Sequence, residues 1–211
     1  MSCGRFITFE GGEGCGKSTQ VRRLKDALEA EGFEVLLTRE PGGTPLAEAV
    51  RRLIKDPPSD APCDRSELLL FLAARAQLVR SVIRPALAAG KWVVSDRFSD
   101  STLAYQGYGR GLSLAFIESA NEFACEGLRP DLTFLLDVAP SVAAERMRGR
   151  EAATRTAADR IERAGEAFHA RLRQGFVELA KAEPTRILTI DANGTPDEVW
   201  EKVWTSLRRF R

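Results

Sequence analysis

The residues best suited to chemistry stand close to the start of the chain. Gly11-Gly12-Glu13-Gly14-Cys15-Gly16-Lys17-Ser18-Thr19 has the spacing G-x-x-x-x-G-K-[ST]. Glycines at these intervals let the main chain wind round an anion with its N–H groups turned inward. Lys17 can then reach the β- and γ-phosphates of a nucleoside triphosphate, and the Ser18 hydroxyl can ligate Mg²⁺. Context supports the string. An apolar run leads into it and an amphipathic pattern leaves it, so a strand precedes the loop and a helix N-terminus adds positive potential. The dinucleotide spacing G-x-G-x-x-G is absent, which disfavours a nicotinamide enzyme. The guanine-reading string N-K-x-D is absent too. A phosphate loop alone does not separate kinase from ATPase or GTPase, so later segments must decide.

Those segments hang on a regular framework. Five β-rich runs recur, at Arg5–Glu10, Phe33–Arg39, Lys91–Asp96, Leu132–Val138 and Arg186–Asp191. Their middles are almost wholly apolar, which suits strands covered on both faces. Helical patterns lie between them; Val21, Leu24 and Leu28 share one face of the first. Thr44-Pro45 reads as a cap followed by a first-turn proline, while Asp64 with Glu67 and Thr195 with Glu198 read as capping boxes. Ser66 to Gly90 reads as one long helix that Pro85 kinks or ends. Within it Arg80 and Arg84 suit a solvated face, whereas Arg75 sits among apolar residues and needs a buried partner or a ligand. Asp56–Pro62 and Gly107–Gly111 read as loops. Strand and helix in alternation with short connections imply a doubly wound, five-stranded parallel α/β sheet with helices on both faces.

Composition bounds the partners. The 211 residues form one domain by length, and 44% hydrophobic with 29% charged residues is ordinary globular usage. Lys and Arg number 31 against 30 Asp and Glu, a net charge of +1, so neither a nucleic acid nor a membrane surface is an expected partner. Cys3, Cys15, Cys63 and Cys125 form no metal-type or C-x-x-C spacing, which fits a reducing compartment. There is no signal-peptide pattern, and the longest apolar run ends at Arg75, so a cytoplasmic location is expected.

Four more segments join the phosphate loop: Thr38-Arg39-Glu40-Pro41-Gly42-Gly43-Thr44, Phe71-Leu72-Ala73-Ala74-Arg75-Ala76-Gln77, Asp96-Arg97-Phe98-Ser99-Asp100-Ser101-Thr102-Leu103-Ala104-Tyr105-Gln106-Gly107, and Asp159-Arg160-Ile161-Glu162. In order and spacing this series resembles the bacterial thymidylate kinase family from Phe6 to about Asp191. The resemblance implies a P-loop kinase over residues 1–211 with a short lid at about 147–158, ATP and Mg²⁺ as cofactors, dTMP as acceptor, and a homodimer. It implies that Phe71 stacks on thymine and Arg75 donates to the base carbonyl, Phe71 as a plain core residue being the alternative. Glu40 and Pro41 border the acceptor. Ser101, Thr102, Tyr105 and Gln106 match positions near thymine N3 and the deoxyribose, with Tyr105 packed where a 2′-hydroxyl would sit. Glu13 matches an acid that accepts from the sugar 3′-hydroxyl.

Asp96-Arg97 closes the third strand, where open α/β sheets place their ligand crevice. There Arg97 would bridge the acceptor phosphate and the transferring group, and Asp96 would orient it or hold Mg²⁺ with Ser18; a simple ion pair is the plainer reading. Phe98 stands where the family commonly has Tyr or His. Gly14 stands where some members place an arginine, and the resemblance implies that in members like this one the lid supplies it. Arg150 and Arg155 are both candidates, with Arg148 nearby, and Arg146 matches a residue that stacks on adenine. Two rivals remain at this point. A deoxynucleoside kinase would need a carboxylate base such as Glu40 or Asp96, and a nucleotide-binding switch would bind ATP without an acceptor. Apolar residues on two faces of one segment, Leu114, Ile117, Ala120 and Ala124 on one and Phe116 and Phe123 on the other, hint at a subunit contact.

Overall fold

The computed structural model describes residues 4–57, 60–154, 160–161 and 163–210. Strands β1 (Phe6–Glu10), β2 (Val35–Arg39), β3 (Trp92–Asp96), β4 (Leu132–Asp137) and β5 (Ile187–Asp191) form one sheet in the order β2-β3-β1-β4-β5. Every pairing is parallel. The apolar runs predicted as strands are the strands, to within two residues at each end. The expectation of cover on both faces holds for β1, β3 and β4. It fails for β2 and β5, where most residues are partly or fully exposed, because these are the edges and have a neighbour on one side only.

Helix α1 (Lys17–Ala30) and α9 (Pro196–Phe210) cover one face, packing Val21, Leu24 and Leu28 with Val199, Val203 and Leu207 onto Ile7, Phe9, Val94 and Phe134. On the other face lie α8 (Glu166–Ala182) and a long helical column. That column starts as α3 (Asp64–Leu78), widens into a π-helical turn at Val79–Ile83 and ends as α4 (Arg84–Ala88). Pro85 explains the widening: it has no N–H to give, and its ring would crowd the carbonyl four residues back. Helix α2 (Pro45–Lys55) begins as predicted, with Thr44 Oγ1 accepting from Ala47 N at 3.1 Å. Thr195 and Glu198 form the expected reciprocal cap, at 2.7 and 3.3 Å.

Two local readings are corrected. Asp64 is not a cap; Cys63 precedes the helix, and Glu67 is buried and turned inward to other partners. Gly107 and Gly109 are not in a loop. After α5 (Ser99–Thr102) the chain runs on as a π-helical segment, Leu103–Gly109, before α6 (Leu114–Cys125). Glycine is needed there for contact, since a Cβ on Gly109 would lie 2.6 Å from the Phe168 ring. Helix α7 (Pro140–Thr154) completes the fold.

Sheet order fixes where a ligand can sit. From β1 the chain crosses toward β2, and from β3 it crosses the opposite way to β4. A crevice therefore opens between the carboxyl ends of β1 and β3. Thr8 pairs with Ser95 and Phe9 with Asp96, so Glu10-Gly11 and Asp96-Arg97 leave the sheet side by side.

Candidate active site

At that point lies a cavity of about 570 Å³, within the range of small-ligand clefts. Residues Glu13–Thr19 form one wall, and Glu40, Pro41, Phe71, Arg75, Asp96, Arg97, Ser101, Thr102, Tyr105 and Gln106 line the rest, with Arg146 and Arg150 at the far end. The structure thus brings together nearly every residue singled out from the sequence. Gly11 and Gly12 stand just behind the wall and present carbonyls. Arg155 lies outside the described residues, as do Asp159 and Glu162. The stretch expected to open the lid is helical as far as Thr154, and Arg150 lines the cavity from that helix.

The loop has the predicted shape. Gly11 has φ +135°, and a Cβ there would lie 2.5 Å from the Leu136 carbonyl, so only glycine fits. Lys17 is buried, and its Nζ donates to Gly11 O at 3.0 Å and Gly12 O at 2.8 Å. Ser18 Oγ donates to Asp96 Oδ2 at 2.8 Å. Among the described residues no three His, Cys, Asp or Glu side chains form a metal cage. One hydroxyl beside one carboxylate suits Mg²⁺, a hard ion that keeps waters and takes phosphate oxygens rather than a full protein cage.

Arg97 spans the crevice. It has φ +76°, a left-handed conformation that a non-glycine residue rarely holds. Glu10 braces the turn: its Oε1 accepts from Phe98 N at 2.8 Å and Ser101 N at 3.2 Å, and its Oε2 from Ser101 Oγ at 2.6 Å. So held, Arg97 Nη1 donates to Gly11 O at 3.0 Å and Nη2 to Glu13 Oε1 at 2.6 Å, with the guanidinium 4.9 Å above the Tyr105 ring. Burial works to raise the Glu13 carboxyl, but Arg97, then Lys17 and Lys55, outweigh it and hold it at about 2. Burial and the neighbouring Asp100 push Glu10 the other way, up to about 7. Burial likewise keeps the Tyr105 phenol protonated, well above its usual range, and its OH donates to Glu13 at 3.2 Å.

On the acceptor side, Phe71 sits at the cavity wall between two charged residues of α3, Glu67 and Arg75. Arg75 does have the buried partner its position demands. It is 1% exposed and all five of its N–H bonds are placed. Nε and Nη2 donate to Glu40 Oε2 at 2.9 and 2.6 Å, Nη1 to Thr102 Oγ1 at 2.8 Å and Asn121 Oδ1 at 2.7 Å, and Nη2 to Phe98 O at 3.1 Å. Donation to a base carbonyl would therefore displace an internal bond. Thr102, whose oxygen already accepts from Arg75, keeps its own O–H to give. Phe98 points into the core, edge-on to Phe6 at 4.9 Å and beneath Arg75. It packs where a Tyr or His would have brought a polar tip.

Some members of the site were not foreseen. Arg51 and Lys55, one turn apart on α2, line the cavity, and Arg51 Nη1 donates to Pro41 O at 2.9 Å. Their i,i+4 spacing after the Thr44 cap was the available signal. Asn121 gave none. Arg146 is anchored to the carbonyls of Ala192, Asn193 and Gly194, at 2.9, 3.3 and 2.6 Å. Pro196 and Val199 line the same cavity.

Comparison with known proteins agrees with this geometry. The thymidylate kinase family profile matches residues 9–203. A thymidylate kinase of Deinococcus radiodurans is 49% identical over 207 residues, 98% of each chain. One from Syntrophotalea carbinolica is 49% identical over 200 residues, 94% of this chain and 93% of that one. The crystal structure of thymidylate kinase from Ehrlichia chaffeensis superimposes with a TM-score of 0.78 at 35% identity, over 97% of this chain and 98% of that one. With the family profile spanning residues 9–203 and relatives at 49% identity over nearly the whole sequence, the chain belongs to the thymidylate kinase family.

Proposed function

We propose that this cavity transfers the γ-phosphoryl group of ATP to the 5′-phosphate of dTMP, giving ADP and dTDP, with the donor along Gly11–Thr19 and the acceptor against Phe71. The observation that carries the reading is Arg97, whose guanidinium reaches from the end of β3 to the phosphate loop and to Glu13. A cation there touches both halves of the cavity and can neutralise charge on the group in flight. Ser18 and Asp96 would hold Mg²⁺, which supplies charge neutralisation on the phosphate oxygens when bound.

No general base is required. A phosphate monoester with a second pKa near ~6 is mostly dianionic at neutral pH and attacks as it is. Catalysis then rests on alignment and charge: Lys17 and Arg97 on the phosphates, Arg150 from α7, and Arg155 as the second lid candidate. Glu13, held ionised by Arg97, accepts from the sugar 3′-hydroxyl. Tyr105 packs against the 2′-carbon and excludes a ribose. Phe71 stacks on the base, Glu40 and Pro41 shape its border with Ser101, and Arg146 presents a flat face to adenine. A hydroxyl-accepting kinase fits less well, because Glu40 is tied to Arg75 and Asp96 to Ser18.

The working unit is a homodimer in this reading. Phe116, 57% exposed, and Phe123, 87% exposed, stand two turns apart on α6, and Leu69 on α3 is 58% exposed. No described helix is long and apolar enough to cross a membrane, and a cytoplasmic location accords with nucleotide substrates. An acceptor panel tests the function: with ATP and Mg²⁺, ADP release should depend on dTMP and fail with thymidine and AMP. Release that follows thymidine instead, or ignores the acceptor, would overturn it.

A further inference from the structure

Glu67, which sequence reasoning assigned to a helix cap, is a buried carboxylate at the edge of the acceptor wall. It is 1% exposed. Its Oε1 accepts from Gln106 Nε2 at 2.9 Å, and Arg110 donates to both oxygens at 3.3 Å. Arg160 Nη2 also donates to Oε2. None of the roles described so far uses this residue.

Its effect follows from what each group can offer. A carboxylate facing two guanidinium groups offers acceptors only. The Gln106 amide has a donor end and an acceptor end, and Glu67 takes the donor end. Gln106 lines the cavity, so the end left for a ligand is Oε1. The opposite logic runs two turns further along α3. Arg75 offers donors only, so Thr102 Oγ1 must accept from it at 2.8 Å, which leaves the Thr102 O–H to be given. Phe71 stands between Glu67 and Arg75 at intervals of four residues, on one helix face. A planar base lying on Phe71 therefore meets a donor at the Thr102 end and an acceptor at the Gln106 end.

We propose that Glu67 is a positioning residue that sets pyrimidine selectivity, by turning Gln106 Oε1 toward the base so that the cavity accepts a ring N–H at position 3 and repels a bare ring nitrogen there. The inference rests on dTMP as the acceptor. A thymine or uracil base carries that N–H next to a carbonyl; a cytosine carries a lone pair next to an amino group. Cytosine would set acceptor against acceptor at Gln106, and Gln106 cannot turn while Glu67 holds its amide.

The test compares kcat/KM for dTMP with that for 5-methyl-dCMP, which keeps the methyl, sugar and phosphate and changes only the hydrogen-bonding edge. In Glu67→Gln the side chain at 67 can donate as well as accept, so the Gln106 amide is released to turn. The dTMP preference should fall at least about tenfold, while Arg110→Leu, which gives Gln106 no new partner, should leave it unchanged. A role in stability alone would lower both substrates in proportion, and an unmoved ratio in Glu67→Gln overturns the proposal. Should that variant not fold, nitrogen-15 NMR of the wild type decides. The Gln106 side-chain NH₂ should exchange slowly and stay in place when dTMP binds; fast exchange, or a shift to bonding with the nucleotide, overturns it. A wild type that leaves dTMP untouched overturns the acceptor assignment and this inference together, whereas dTMP turnover with an unmoved ratio overturns the inference alone.

Discussion

Arg97 combines a strained backbone with a reactive-site cation, and two substitutions separate them. Arg97→Ala and Arg97→Gly both delete the contacts to Gly11 and Glu13 at 3.0 and 2.6 Å. Losing one well-placed donor to developing charge costs about 10²–10³ in kcat, roughly 3–4 kcal/mol, and both variants should fall at least that far. ATP binding should persist, because Lys17 and the loop N–H groups remain. Stability should divide the pair. At φ +76° an alanine keeps about 1–2 kcal/mol of left-handed strain, while glycine relieves it and loses about 0.5–1 kcal/mol to chain entropy. The glycine variant should therefore be the more stable by ~0.5–1 kcal/mol, a melting difference of roughly 1–4 °C at this chain length. The measurements are coupled ADP release at saturating ATP and dTMP, calorimetric ATP titration and thermal melts. An alanine variant within threefold of wild-type kcat would refute the catalytic role; equal melting temperatures would refute the strain.

Other expectations are simpler. Phe71→Ala should raise KM for dTMP about tenfold or more, from the ~1–3 kcal/mol of a base–aromatic stack, with kcat nearly unchanged; a fall in kcat with KM intact would contradict the stack. Glu10, raised from 4.5 to about 7, binds its proton more tightly folded than unfolded. Its contribution to stability is therefore fully present below pH 4.5 and lost as pH rises through 7. Urea midpoints should drop between pH 5 and 8 in the wild type, and Glu10→Gln should flatten that slope. Glu13, lowered to about 2, contributes in the opposite sense, fully above pH 4.5 and lost as pH falls through 2, so the stability gap between wild type and Glu13→Gln should close in acid. Phe116→Glu with Phe123→Glu should give monomers in sedimentation; an unchanged dimer would place the interface elsewhere.

What could be read from the sequence was what depends on neighbours along the chain. Five apolar runs located five strands, because a buried parallel strand is continuous and apolar whatever surrounds it. The phosphate loop was legible for the same reason, its spacing being a property of nine consecutive residues. Burial at the edges was not legible: Leu36 and Leu37 look as internal as Val93 and Val94, and only strand order tells them apart. Glu67 was misread because its spacing from Asp64 mimics a cap, while Gln106 and Arg110 approach from about 40 residues away. Arg75 was correctly marked as needing a partner, yet Glu40 and Asn121 could not be found without the fold. Gly107 and Gly109 have the look of turn formers in sequence, while in the fold a Cβ on either would strike Leu114 or Phe168.

Lys17 rests on the loop carbonyls, Arg97 on Glu13 and Arg75 on Glu40. Each cation thus has an internal partner, and a phosphate group must compete with that partner to bind. A weakly charged solute such as chloride has little to offer against a carboxylate at 2.6 Å, whereas a dianionic phosphate brings more charge and more oxygens. A phosphate dianion is therefore expected to displace these internal acids more readily than a singly charged anion does, and titrating chloride against nucleotide binding reads the difference.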